Sequence, residues 1–182
     1  RAAGVAAGLS CGFDSLCTIA DYLPSTGRSV ALTHLIHNDA IVRSEKARLA
    51  QTALHERIAA MADSLALPII FVASNVSSFC TGKGLNYTRV HTLQNAASAA
   101  LLQRGIGVYL YASASAYAYH EVHSGPATST AWADPILLPN LSTSAMHFQV
   151  SGSEYLRVEK VVRVATLVGA RKHLHVCMDE TQ

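Results

Sequence analysis

The stretch GLSCGFDSLCTIADYL, residues 8 to 23, places Ser10-Cys11-Gly12-Phe13-Asp14-Ser15 between two apolar segments of different period. Upstream, Val5 and Leu9 belong to a run of small and apolar residues over 3–9 that reads as a buried strand. Downstream, Leu16, Ile19, Ala20 and Leu23 recur at helical spacing, so residues 14–23 read as a helix. A helix start presents unpaired backbone N–H groups and the positive end of the helix dipole, and both favour phosphate. Gly12 lets the backbone approach closely, and the hydroxyls of Ser10 and Ser15 add donors. The turn lacks the lysine of G-x-x-x-x-G-K-S/T and the spacing of G-x-G-x-x-G. Asp14 repels bare phosphate, which leaves it two readings: a ligand to magnesium beside a bound phosphate, or the cap of the helix. The whole stretch has a plainer counterpart, a capped helix after a tight turn.

The same alternation continues along the chain. Pro24 to Gly27 is a turn and Ser29 to Ile36 a second strand. From Ser44 to Ala66 the period is helical, with Ala47, Ala50, Leu54, Ile58, Met61 and Leu65 on one face. Pro68 opens a strand over 69–73, and residues 74–90, with Gly82 and Gly84, read as a loop. A helix over 92–102 leads into a strand over 108–111, and a polar, proline-bearing segment spans 113–145. A short strand over 148–150, a helix over 154–167 and a last strand over 173–177 complete the order. Strands alternating with helices predict an α/β fold, a doubly wound, mainly parallel sheet with helices on both faces. Ligands in such sheets bind at the carboxyl ends of the strands, where residues 10 to 15 lie.

Composition narrows the function. The 182 residues read as one domain, 50% hydrophobic and only 14% charged, against roughly 25% charged in an ordinary globular domain. So little charge fits buried parallel strands, a homo-oligomeric surface, or both. The net charge of +2 is too small to argue for a nucleic-acid surface, and no apolar stretch reaches a membrane span. Cys11, Cys17, Cys80 and Cys177 are dispersed, without the spacing of a secreted scaffold. Cys17 reads as a small core residue. With no signal-peptide pattern, a cytoplasmic protein is expected.

Ser10-Cys11-Gly12-Phe13-Asp14-Ser15 resembles the S-G-G-x-D-S loop of the PP-loop ATP pyrophosphatases, the adenine nucleotide alpha-hydrolase superfamily, with Cys11 at the first glycine. Asp134 to Thr143, Arg157-Val-Glu-Lys160 and His173-Leu-His-Val-Cys177 extend the likeness to a poorly characterised branch similar to the 7-cyano-7-deazaguanine synthases. The resemblance implies a five-stranded Rossmann-like sheet and an enzyme that adenylates a carbonyl or carboxylate substrate. Pyrophosphate leaves, and a nitrogen or sulfur nucleophile attacks. ATP and Mg2+ are the implied cofactors, held by Ser10, Cys11, Gly12, Phe13, Asp14 and Ser15, with magnesium on Asp14. A late T-K-x-E-I motif near the phosphates finds Arg157 and Glu159 at its lysine and glutamate, so Asp14, Arg157 and Lys160 are the expected catalytic residues. A solvated helix face with Arg157, Lys160 and Arg163 spaced by three is the plainer reading. The branch carries a cysteine cluster, so Cys177 is implied to be one ligand of a Zn2+ set completed beyond Gln182.

Other candidates are less marked. His37 and Asp39, closing the second strand, lie where the superfamily cradles adenosine; a polar turn reads equally well. Ser113, with Ser115, closes the fourth main strand beside the same cleft. His120 and His123 have a metal-ligand spacing if helical, without a third ligand in register. Cys11 at a helix start invites a thiolate nucleophile, without a placed histidine base. Two other classes compete with the enzyme: a non-catalytic adenine-nucleotide-binding module, whose glycine-rich late phosphate motif is missing here, and an assembly subunit that has lost catalysis.

Overall fold

A computed structural model describes residues 1–40, 45–120 and 129–175. Five strands form one sheet, β1 (Gly4–Gly8), β2 (His34–Ala40), β3 (Ile69–Ser74), β4 (Ile106–Ala112) and β5 (His147–Ser151), in the order β3-β2-β1-β4-β5. Every pairing is parallel. The helices are α1 (Phe13–Tyr22), α2 (Glu45–Ser64), α3 (Val76–Gly82), α4 (Tyr87–Ala100), α5 (Asp134–Asn140), α6 (Arg157–Ala165) and α7 (Ala170–His173). The expected doubly wound, Rossmann-like α/β fold is the observed one.

Strand alternation sorts the core into two layers. Ala7, Leu35 and Leu110 face one side, packing with Leu16 and Ile19 of α1, Ile58 and Met61 of α2, and Val164 of α6. Ala6, Ile36, Tyr109 and Tyr111 face the other, with Ala96 and Ala99 of α4 and Leu138 of α5. Cys17 is fully buried in the first layer, as read from the sequence. From β1 the chain winds toward β2, and from β4 toward β5. The strand order therefore reverses between β1 and β4, and a crevice opens at their carboxyl ends.

Several elements differ from the sequence reading. The second strand begins at His34, not Ser29, because the backbone before it is already engaged: Leu32 N–H donates to Tyr22 O at 2.8 Å and Thr33 N–H to Val5 O at 2.9 Å. It runs on to Ala40, which brings His37 and Asp39 into the strand itself. The expected loop over 74–90 holds α3 and the start of α4, whose N-cap Asn86 side chain accepts from Arg89 N–H at 3.2 Å. The described residues of the segment 113–145 include α5 and the 3-10 turns Tyr117–Tyr119 and Thr130–Ala133. Instead of a strand at His173, Gly169 at φ +77° turns the chain into the short α7. Its Arg171, Lys172 and His173 suit the negative end of a helix dipole. No helix among the described residues is long and apolar enough to cross a membrane.

Asp134 opens α5 from a fully buried position, where the Thr92 hydroxyl donates to its Oδ1 at 2.7 Å and its Oδ2 has no hydrogen bond among the described residues. Burial pushes its carboxyl up from 3.8 to about 6. The folded chain then holds a proton that the unfolded chain releases, so this group stabilises fully below about pH 4. Its contribution is lost as pH rises through about 6, a change on the order of 2–3 kcal/mol. Urea unfolding between about pH 4 and 7 should show Asp134→Asn gaining on the parent by that amount toward neutrality. Parallel curves would refute the assignment.

Candidate functional site

The loop after β1 keeps the backbone form that a glycine favours, although Cys11 occupies it. Cys11 sits at φ +60°, in the left-handed region, with its side chain fully buried. That conformation costs about 1–2 kcal/mol for a residue with a Cβ, partly offset by burying the thiol. Its carbonyl accepts from His175 N–H at 2.9 Å, so the end of the described chain backs the loop. Burial pushes the Cys11 thiol up to about 11. A protonated, enclosed thiol corrects the nucleophile reading.

Gly12 is the N-cap of α1, and no side chain caps the helix. Ser15 lies in the first turn, where its hydroxyl donates to Gly12 O at 2.9 Å. Ser10 Oγ stands 3.1 Å from Ser15 Oγ and accepts from Gly12 N–H at 3.3 Å. The two serines thus hold the loop's shape and keep hydroxyls at its mouth. First-turn N–H groups have no intrahelical acceptor and remain for a ligand. Asp14 is one residue inside the helix start, so the capping role expected as its plainer reading falls away.

Asp14 points at α6. Lys160 Nζ lies 2.8 Å from Asp14 Oδ1 and donates to Ser113 O at 2.6 Å, while Arg157 Nη1 lies 3.3 Å from Asp14 Oδ2. The Lys160 side chain is 2% exposed and that of Arg157 60%. Gly152 packs beside the lysine at φ +83°, a left-handed form that favours glycine; a Cβ there would make only ordinary contact, 3.7 Å, with Lys160 Cε. Arg157 also lies over the Phe13 ring, 5.3 Å from its centroid. Glu159 accepts from Leu156 N–H at 2.7 Å, closing the start of α6. One turn on, Arg163 pairs with buried Asp21. The solvated-face reading of α6 therefore fails at Lys160, which is buried, while Arg157 and Arg163 reach the aspartates of α1 with their side chains still 60% and 40% exposed.

A cleft of about 310 Å³ opens beside the loop, lined by Ser10, Asp14 and Ser15, by Ile36 to Asn38 of β2, and by Tyr109 and Tyr111 of β4. Tyr87, His91 and Asn95 close it from α4. These three recur every four residues, on one helix face, a stripe unreadable once 74–90 is taken as loop. Asn95 accepts from Asn38 Nδ2 at 2.9 Å, and Ser98 donates to Asn38 Oδ1 at 2.9 Å, which fixes the Asn38 amide at the cleft wall. Burial pushes both tyrosine phenols up, so they stay neutral.

The remaining candidates divide. His37 lines the cleft, its Nδ1 donating to Leu9 O at 2.9 Å, and burial holds its pKa below the usual imidazole value. Asp39 stands beside His55 of α2, a neighbour that no local spacing announces. Ser113 is fully buried, and its hydroxyl donates to Ser115 O at 3.1 Å. It serves the site through its carbonyl on Lys160. His120 follows a 3-10 turn and its Nδ1 donates to Trp132 O at 2.8 Å. His123 and Cys177 lie outside the described residues. No protein-family model, curated protein or solved structure matches the chain.

Two comparisons test the loop and its anchor. Lys160→Met keeps the stem's packing but leaves Asp14 and Ser113 O short of a donor, an expected loss of about 2–3 kcal/mol. Arg157→Met, at an exposed pair, should lose less than about 1 kcal/mol; equal losses in urea melts would contradict this ranking. At residue 11, relief of the left-handed strain and loss of burial oppose each other. Cys11→Gly should stay within about 1 kcal/mol of the parent, and β-branched Cys11→Val should fall by more than about 2 kcal/mol. A Val variant as stable as the parent would show the loop to be free of that constraint.

Proposed function

We propose that the chain binds ATP at the carboxyl edge of the sheet, phosphates against residues 10 to 15, and uses it as the PP-loop ATP pyrophosphatases do. In this reading a carbonyl or carboxylate oxygen of a second substrate attacks the α-phosphate, pyrophosphate leaves, and a nitrogen or sulfur nucleophile then displaces AMP. One observation carries it: the S-C-G-F-D-S turn sits at the strand-order reversal, with its acid joined to two cations from a late helix.

The residues divide the work by position. First-turn N–H groups of α1 and the Ser10 and Ser15 hydroxyls receive the β- and γ-phosphates. Arg157, exposed and tethered among the described residues by Asp14 and Phe13, turns onto the departing pyrophosphate. Lys160 stays fixed and adds its charge from behind the loop. The nucleoside lies along His37 and Asn38, facing Tyr87, His91 and Asn95. The cleft volume is at the lower end for a small-molecule site, about 300–1,000 Å³.

Asp14 is the one carboxylate among the described residues lining the cleft. It fits magnesium as a single protein ligand, with phosphate and water oxygens filling the other positions. The ion, when bound, neutralises phosphate charge. A second reading, a nucleotide-binding module or assembly subunit without turnover, draws on the same residue: a carboxylate held by two cations has less charge to lend to magnesium.

Arg157→Gln separates site from scaffold better than a change at Asp14, because it spares the buried pair. Calorimetric titration with ATP and magnesium should give an affinity about tenfold weaker for Arg157→Gln, at an unchanged melting temperature. Exchange of labelled pyrophosphate into ATP, driven by a panel of carboxylic acids, should fall in step. ATP binding without exchange by any acid would favour the module; no ATP binding by the parent chain would end the enzyme and module readings and leave the assembly subunit.

A further inference from the structure

We propose that His37, Asp39 and His55 form a binding site for a divalent transition-metal ion of the zinc type, at the carboxyl end of β2. Their donor atoms all lie within 4.8 Å of one another. His37 and Asp39 are two residues apart on a strand and so share a face; His55 meets them from α2. The inference is independent of the nucleotide reading, since it uses a different set of side chains apart from His37.

Each donor is oriented by its surroundings. The His37 Nδ1–H is spent on Leu9 O at 2.9 Å, which fixes the tautomer and leaves the Nε2 lone pair free, the usual state of a ligating histidine. Asp39 Oδ1 accepts from the Gln51 amide, one helical turn before His55 on α2, which leaves Oδ2 on the His55 side. His55 Nε2 stands 3.2 Å from Asp39 Oδ2, yet that nitrogen is buried and makes no hydrogen bond among the described residues. The nitrogen and the carboxylate are close without pointing along a common N–H···O line. Such an arrangement suits two lone pairs directed at a third centre.

The rings are held as well as aimed. Phe71 packs against His55 with centroids 4.8 Å apart and against His37 at 5.8 Å, and the two imidazoles meet edge to face at 5.6 Å. With zinc–nitrogen and zinc–oxygen bonds of about 2.0–2.2 Å, donors on one ion stand about 3–4 Å apart, so a small rotation of the side chains completes the set. Two imidazoles and one carboxylate favour zinc and its first-row neighbours over magnesium or calcium, which prefer oxygen alone. Three protein ligands leave a coordination position for water or an anionic oxygen. His37, shared with the cleft wall, puts that position at its rim.

The test uses the whole chain, stripped with a chelator and titrated with Zn2+ alone, without nucleotide. The parent should bind one equivalent that His55→Phe and Asp39→Asn lose; the phenyl ring keeps the packing on Phe71. Gln51→Ala, which frees Asp39 Oδ1, should weaken that equivalent by about tenfold. X-ray absorption at the zinc edge of the parent, loaded to one equivalent, should show two imidazoles at about 2.0–2.1 Å with oxygen and no sulfur. That readout stands even where a variant fails to fold. A parent that binds no zinc, a sulfur-only shell, or equal binding by folded parent and His55→Phe would overturn the site and leave an ordinary histidine–aspartate ion pair.

Discussion

The ammonium of Lys160 is buried, and the arrangement of the whole cleft follows from how it is neutralised. Moving an unpaired charge out of water costs several kcal/mol, so this lysine requires Asp14 and the Ser113 carbonyl where they stand. That requirement ties three distant parts of the chain together: the start of α1, the end of β4 and the middle of α6. The loop between β1 and α1 is thereby fixed at one end by the sheet and at the other by a charge. Phosphate-binding loops depend on such preorganisation, because donors already in position lose no free energy to reorganisation when an anion arrives.

The α1–α6 contact has an unusual polarity for a surface helix. Asp14 and Asp21 lie two turns apart on α1 and meet Arg157, Lys160 and Arg163 across the interface, while Val158 and Val162 of α6 face outward. A helix that turns its cations inward contributes positional specificity more than hydrophobic stability.

The fold was legible because parallel, doubly covered strands are apolar runs, and Ile69–Ile70–Phe71–Val72 or Val108–Tyr109–Leu110–Tyr111 can hardly be read otherwise. The opening turn was legible because its residues are consecutive. Arg157 and Lys160 could be placed near it only through resemblance, since nothing local to them refers to residue 14. His55 and Tyr87 were not legible at all. One is an ordinary polar position in a long amphipathic helix. The other opens a helix whose cap, Asn86, lies in a stretch where glycines and serines suggest a loop. The strand expected over 173–177 does not begin at His173 for a backbone reason: Gly169 adopts a left-handed turn and His173 ends α7, while Val176 and Cys177 lie outside the described residues.

The spacing of the Lys160–Asp14 pair also bears on how the molecule is made. The two residues are 146 positions apart. At ordinary rates of synthesis that separation is on the order of ten seconds. During that interval β1, its loop and α1 exist with their two aspartates uncompensated, and the first four strands can assemble around them. Only when α6 arrives does the loop acquire its counter-charges. If the loop receives phosphate as proposed, a nascent chain lacks the counter-charges of that site for most of its synthesis and gains them only when α6 packs on α1. Long-range closure of this kind slows folding, and a prematurely ended chain, however much sheet it forms, keeps Asp14 and Asp21 without the cations that pair with them in the finished protein.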